Sequence, residues 1–187
     1  PRELQLLKVI DRPGIEDAFR MASRQHPGRI GAVLGYDETL SHRMQAGADA
    51  IIVPSRFEPC GLTQLYGLAY GCVPVVSRTG GLADTVIDAN VAALQAGVAT
   101  GIQFDGVSLN PLTTAINRTV SLFSQKEQWR RIQRNGMACD FSWSRSGKAY
   151  ADLELRLMAG NYGPADKMTT AIAAPTPNVP WARLGCP

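Results

Sequence analysis

Residues 58–63, Glu-Pro-Cys-Gly-Leu-Thr, set a carboxylate, a glycine and a hydroxyl at the start of an apolar helical run. The first N–H groups of a helix have no intrahelical partner and carry partial positive charge. Cys60, Gly61, Leu62 and Thr63 can therefore offer backbone donors to sugar hydroxyls or phosphate oxygens. Glu58 adds an acceptor for two hydroxyl protons, and Gly61 permits close approach of a ligand to the main chain. The same residues also fit a plain turn in which Glu58 caps the helix, and spacing alone leaves both readings open. A second turn, Thr79-Gly80-Gly81-Leu82-Ala83-Asp84, sets two adjacent glycines between a strand and a helix. Such a loop can cradle a pyrophosphate, although it is neither a Walker A loop nor Gly-x-Gly-x-x-Gly. Taken alone it fits a structural turn better. Two such turns on successive strand–helix units face one sheet edge, and together they suit a nucleotide-sugar.

The elements that must hold these turns alternate. Continuous apolar runs at 4–10, 29–36, 48–55, 72–77 and 100–104 read as strands. Residues 15–25 carry Ile15, Ala18, Phe19 and Ala22 at helical spacing, and 37–47, 61–71, 108–124, 125–137 and 142–160 also read as helices. Residues 78–86 read as a glycine-rich turn into a helix start. Apolar strands separated by helices imply a parallel sheet covered on both faces. The expected fold class is α/β, a Rossmann-like doubly wound sheet, with binding residues where strands end and helices begin. Residues 1–160 are expected to form this domain with its trailing helices. Residues 161–187, with Pro164, Pro175, Pro177, Pro180 and Pro187 and no periodicity, read as a disordered tail.

Composition narrows the class. The 187 residues are 45% apolar and 19% charged, with a net charge of +3, and the cations are scattered. That argues against a dedicated nucleic-acid partner. Cys60, Cys72, Cys139 and Cys186 form no Cys-x-x-Cys pair and only His26 and His42 accompany them, so no metal site is expected. Isolated thiols suit a reducing cytoplasm. No apolar run reaches the ~20 residues of a membrane helix, and the chain opens with no signal-peptide pattern. No histidine is spaced to activate Cys60, which reads as a buried or ligand-adjacent thiol rather than a nucleophile. His42 reads as an exposed helix residue and His26 as a helix terminator. Trp129 and Trp143 read as core or interdomain contacts, and Arg130, Arg131 and Arg134 as a solvated face.

At full length, residues 28–90 resemble the bacterial glycogen synthase or starch synthase family, glycosyltransferase family five. The runs PSRFEPCGLTQLYGL and RTGGLADTV carry the resemblance, and weaker similarity covers residues 13–157. It implies the C-terminal half of a GT-B enzyme, two Rossmann-like domains across a cleft. Such enzymes transfer glucose from ADP-glucose to the nonreducing end of an α-1,4-glucan, with retention and with no required cofactor or metal. By position, Glu58 would bind the donor glucose hydroxyls. The N–H groups of Cys60, Gly61 and Leu62 would fix sugar and phosphates, and Thr63 would reach the pyrophosphate or ribose. Tyr36 would stack on adenine; without the family it reads as a half-buried strand-end tyrosine. Thr79, Gly80, Gly81 and Asp84 would line the cleft. Tyr66 stands where the wider superfamily often has a second glutamate, and it favours family five over relatives that use UDP-glucose. The family's N-terminal domain, its natural structural partner, and the basic segment that opens its second domain are not in this chain. The start, LKVIDRPG at 7–14, also lacks the family's usual glycines. A noncatalytic nucleotide-sugar-binding fragment is therefore an alternative reading, and the isolated chain is expected to be inactive.

Overall fold

The computed structural model describes residues 4–8, 13–35 and 37–158. Tyr36 and the expected tail at 161–187 lie outside the described residues. Five strands alternate with helices: β1 (Leu4–Lys8), α1 (Pro13–Gln25), β2 (Ile30–Leu34), α2 (Glu38–Gly47), β3 (Ala50–Val53), α3 (Thr63–Tyr70), β4 (Val73–Ser77), α4 (Gly80–Thr85), α5 (Val91–Ala96), β5 (Ile102–Phe104), α6 (Leu109–Ser124), α7 (Lys126–Met137) and α8 (Trp143–Met158). All strand pairs are parallel. The architecture is α/β and Rossmann-like, as its alternating pattern requires.

The sheet is divided. β1 pairs with β2, and β3-β4-β5 form a separate set of three. β4 lies centrally, and all five of its residues are buried. Alternation along the strand sends Val73 and Val75 into the main core with Ile102, Phe104, Ala115, Leu122, Trp129 and Ile132. Val76 turns to the other face and meets Leu82, Val86 and Val53. Helices α6 and α7 thus cover one face of β4 and β5, while α4 holds the face beneath the second turn.

Local chemistry sets the boundaries. Asp37 caps α2 by accepting the Leu40 N–H at 2.9 Å. Gly71, at φ 72°, ends α3 in the left-handed region that glycine adopts freely. The short helix α5 was not expected from the sequence. Asn90 caps it, accepting the Ala93 N–H at 2.9 Å, and Gly97 closes it.

Two side-chain expectations need correction. Of the core and interdomain readings of Trp143, the core one is overturned: it is 81% exposed, and α8 buries none of its residues. His42 is half-buried rather than exposed: its ring lies 4.7 Å from that of Tyr66 and accepts or donates a 3.1 Å hydrogen bond with Tyr70 Oη. Trp129 does fill the core, and Arg130, Arg131 and Arg134 are exposed as expected.

Candidate functional site

β3 ends at Val53, and residues 54–62 form a turn that leads into α3. β4 ends at Ser77, and Thr79 opens the parallel turn into α4. Because the two strands are parallel neighbours, both turns leave the same edge. The Ser77 hydroxyl donates to the Ser55 carbonyl and ties the strand ends together.

The turns interlock through their backbones. Gly81 N–H donates to the Glu58 carbonyl at 3.2 Å. A Cβ at Gly80, which has φ +42°, would overlap that same carbonyl oxygen. A Cβ at Gly81 would overlap the Cys60 carbonyl oxygen and lie 2.6 Å from the Cys60 Cα. The double glycine therefore admits the first turn's backbone. The space it was expected to leave for a pyrophosphate is filled by residues 58–60.

Gln64 braces the first turn from below. It is fully buried, and its Nε2 donates to the carbonyls of Cys60 at 2.9 Å and Gly61 at 2.8 Å and to Thr85 Oγ1 at 3.2 Å. The Thr85 hydroxyl in turn donates a hydrogen bond to the Gly81 carbonyl, closing a chain between the turns. Gly61 has φ +73°, and a Cβ there would overlap Gln64 Oε1. Glycine is needed at 61 for conformation and for Gln64 together.

Among the described residues, none of the backbone N–H groups of Cys60, Gly61, Leu62 and Thr63 donates to another group. Cys60, Leu62 and Thr63 are exposed and Gly61 is partly so. Glu58 does not cap α3: the cap position is Leu62, with no side-chain cap bond. Its carboxylate instead accepts from Ser55 Oγ at 3.4 Å and is half-buried, which leaves acceptor capacity for a ligand. Cys60 is exposed, so the buried-thiol reading of it is corrected. The acid, the free donors and Gly80 thus share one surface.

The other expected residues are more scattered. Thr79 is the N-cap of α4, with no side-chain cap bond, and is half-buried. Asp84 is exposed on α4. Tyr66 lies one turn along α3 from Thr63 and packs on His42. The bracing pair Gln64 and Thr85, and the tie Ser77, were not singled out from the sequence. The signal for Gln64 was its place four residues after Cys60, one helical turn from the carbonyls it holds.

Among the described residues there is no group of three or more His, Cys, Asp or Glu that could hold a metal, and no helix long and apolar enough to cross a membrane. Cys72, at the end of α3, is buried, and burial followed by the charge of Asp49 pushes its thiol up to about 12. That thiol is inert at neutral pH.

Residues 27–135 match the profile of the glycosyl transferases group 1 family. Over 145 residues the chain is 69% identical to a glycogen synthase of Novosphingobium aromaticivorans and 58% identical to a glycogen synthase of Rhizobium rhizogenes. These stretches are 78% of this chain and 30% of each relative, so the chain spans about 30% of the length of the curated relatives it matches. The catalytic domain of starch synthase IV from Arabidopsis thaliana, solved bound to ADP and acarbose, superposes with a TM-score of 0.69 at 34% identity, over 78% of this chain and 30% of that one. Sucrose-phosphate synthase from Thermosynechococcus elongatus shares the fold, with a TM-score of 0.58 at 22% identity, over 84% of this chain and 39% of that one. The profile covers more than half the residues and includes both interlocked turns: the chain belongs to the glycosyl transferases group 1 family.

Proposed function

We propose that residues 1–160 are the donor-binding, C-terminal Rossmann-like domain of a cytoplasmic glycogen synthase. The whole enzyme would move glucose from ADP-glucose to the nonreducing end of an α-1,4-glucan with retention of configuration. One observation carries this reading. Gln64 and the Gly81 N–H occupy the carbonyls of Cys60, Gly61 and Glu58, while among the described residues the N–H groups of Cys60, Gly61, Leu62 and Thr63 donate to no other group and the half-buried Glu58 carboxylate accepts from Ser55 Oγ. Such a surface offers donors to phosphate oxygens and an acceptor to sugar hydroxyls. The similarity to glycogen synthases and to a starch synthase bound to ADP supports the choice of nucleotide-sugar.

In this reading the site's contribution is electrostatic. Departure of ADP develops negative charge on the leaving phosphate, and fixed N–H dipoles at Cys60, Gly61 and Leu62 stabilise it without reorganising. Thr63 reaches the pyrophosphate or ribose, and Tyr36 stacks on the adenine. Glu58 holds the sugar hydroxyls and positions the anomeric carbon. Thr79, Gly80 and Asp84 line the cleft toward the acceptor, with Gly81 fixing their turn, and Tyr66 supports α3 from its second turn. The chain is about 30% of its relatives' length, which favours binding without turnover by this polypeptide alone. Calorimetric titration with ADP-glucose and UDP-glucose tests the assignment. Saturable binding that prefers the adenine nucleotide and weakens in Tyr36→Ala supports it. Equal binding of both nucleotides, or tighter binding of UDP-glucose, sinks it.

A further inference from the structure

We infer that the exposed side of α6 is where two copies of this chain meet, with their α6 helices antiparallel about a twofold axis. The first observation is a helix with no free charge. In the 16 residues of α6 the one charged side chain is Arg118, and it is held by Asp88 and by the carbonyls of Gln103 and Ala89. Among the described residues, every other helix of ten residues or more turns charge to solvent: Arg20 in α1, Arg43 in α2, Arg130 in α7 and Lys148 in α8. A surface helix ordinarily sets charged and polar residues away from the core. On its exposed side α6 sets the stripe Leu109, Thr113, Ile116 and Val120, with Leu109 79%, Ile116 38% and Val120 60% exposed.

The pattern fits a second copy of itself. The stripe is spaced four, three and four residues, so it reads alike from either end. Two such helices packed antiparallel, as neighbours in bundles are, turn about an axis beside residues 114 and 115. Leu109 then meets Val120 of the second copy, and Thr113 meets its Ile116. Each contact is made twice, which is the condition for an isologous interface. A face without charge selects no charged partner. A nucleic acid would need cations, and a lipid surface would need Lys or Arg beside a broad apolar face. The stripe of α6 is flanked instead by Asn110, Thr114, Asn117 and Ser121.

The strand edge beside α6 does not compete. On β5, the Gln103 N–H donates to Asp88 Oδ1 at 2.8 Å, and Arg118 Nη1 donates to the Gln103 carbonyl at 3.2 Å. Side chains therefore close that edge to strand pairing. α6 starts just beyond the end of β5, at the sheet edge from which the turns after β3 and β4 also leave. An antiparallel pair keeps the two sets of turns at opposite ends of the contact and leaves both open. The nine exposed residues of α6 are fewer than the roughly 20–30 a side of a standard interface. The association is therefore weak and shows at high concentration.

This inference stands on α6 and not on the donor-site reading, so either can fail alone. The test is sedimentation velocity of the full 187-residue chain, from about 10 μM to about 1 mM. The weight-average mass should rise toward twice that of the monomer, with or without ADP-glucose. Thr113→Lys and Ile116→Glu, each alone, should weaken association about tenfold or more, because each sets a charge against an uncharged side chain. An equimolar mixture of the two should associate again. Residue 113 of one copy then faces residue 116 of the other with opposite charge, and the reciprocal pair stays Ile116 against Thr113. Recovery in the mixture also shows that both variants fold; if one does not, the reversed pair Thr113→Glu and Ile116→Lys decides. A chain that stays monomeric at about 1 mM, even one that sediments with lipid vesicles or glycogen, would overturn the inference. So would association untouched by either substitution, as expected if the exposed Trp143 and Tyr150 of α8 joined the copies, or a mixture that associates no better than its parts.

Discussion

The Gly81 N–H donates to the Glu58 carbonyl at 3.2 Å, so the turn after β4 holds the backbone of the turn after β3. The Cβ of Gly81→Ala would overlap the Cys60 carbonyl oxygen and press on its Cα. Both are backbone atoms, so the first turn has to move. We expect a loss of about 2 kcal/mol in urea unfolding, together with loss of ADP-glucose binding. Unchanged stability would show that the turns are not packed as described.

Gln64 supplies a second check on the same brace. Gln64→Leu keeps the approximate volume but removes the donor to two carbonyls and the Thr85 hydroxyl, at an expected cost of about 1–3 kcal/mol. Gln64→Glu sets an acceptor against those acceptors and should cost more at pH 7, with part of the loss recovered under acid. Equal effects of the two variants at pH 7 would contradict a donor role.

Much of this arrangement was legible in the sequence, and the remainder was tertiary. The strand β4 is a continuous apolar run, and the helical spacing around Trp129 and Ile132 is plain in α7, so both elements and their core faces follow from periodicity. Gly61 and the Gly80-Gly81 pair marked the turns. Their cause was less visible: Gly80 and Gly81 answer to the backbone of residues 58–60, some twenty positions away, which no local pattern reveals. The helix α5 spans only six residues, too few for a periodic signal, although Asn90 and Gly97 bracket it. His42 looked exposed because its partners, Tyr66 and Tyr70, lie on another helix. The division of the sheet could not be read at all, since pairing partners are a property of the assembled fold.

Arg118 and Asp88 hold the closed edge of β5. Arg118 Nη2 reaches both carboxylate oxygens of Asp88, at 3.1 and 3.2 Å, and the Ala89 carbonyl at 3.2 Å. Arg118→Met leaves the mostly buried Asp88 carboxylate with the Gln103 N–H as its one remaining donor among the described residues, and we expect about 2–4 kcal/mol of destabilisation. Arg118→Met with Asp88→Asn should recover part of it. A loss under about 0.5 kcal/mol, typical of a surface pair, would mean that the pair does not close the edge.

Cys72 gives a pH prediction. Its folded thiol lies near 12 against an ordinary 9.0, raised by burial and then by Asp49. The unfolded chain therefore loses this proton first, and the folded state becomes less stable as pH rises from 9 toward 12. Below pH 9 the group contributes no slope. The urea midpoint of Cys72→Ala should start lower, because a side chain is removed from a packed site, yet fall less steeply through this window. Parallel curves would contradict the assignment.

Site-specific alkylation separates the thiols directly. Cys60 is exposed and Cys72 buried, so iodoacetamide on the native chain should label Cys60 and spare Cys72. Saturating ADP-glucose should slow the labelling of Cys60 if its turn binds the donor. Equal labelling with and without the nucleotide-sugar would place the ligand elsewhere.

The most direct measurement is calorimetric titration of the chain and of Glu58→Ala with ADP and with ADP-glucose. If the carboxylate holds the sugar, the substitution should weaken ADP-glucose about tenfold or more, the worth of a charged hydrogen bond, and leave ADP nearly unchanged. Equal weakening of both ligands, or of neither, would contradict a donor site built on Glu58 and the free N–H groups beside it.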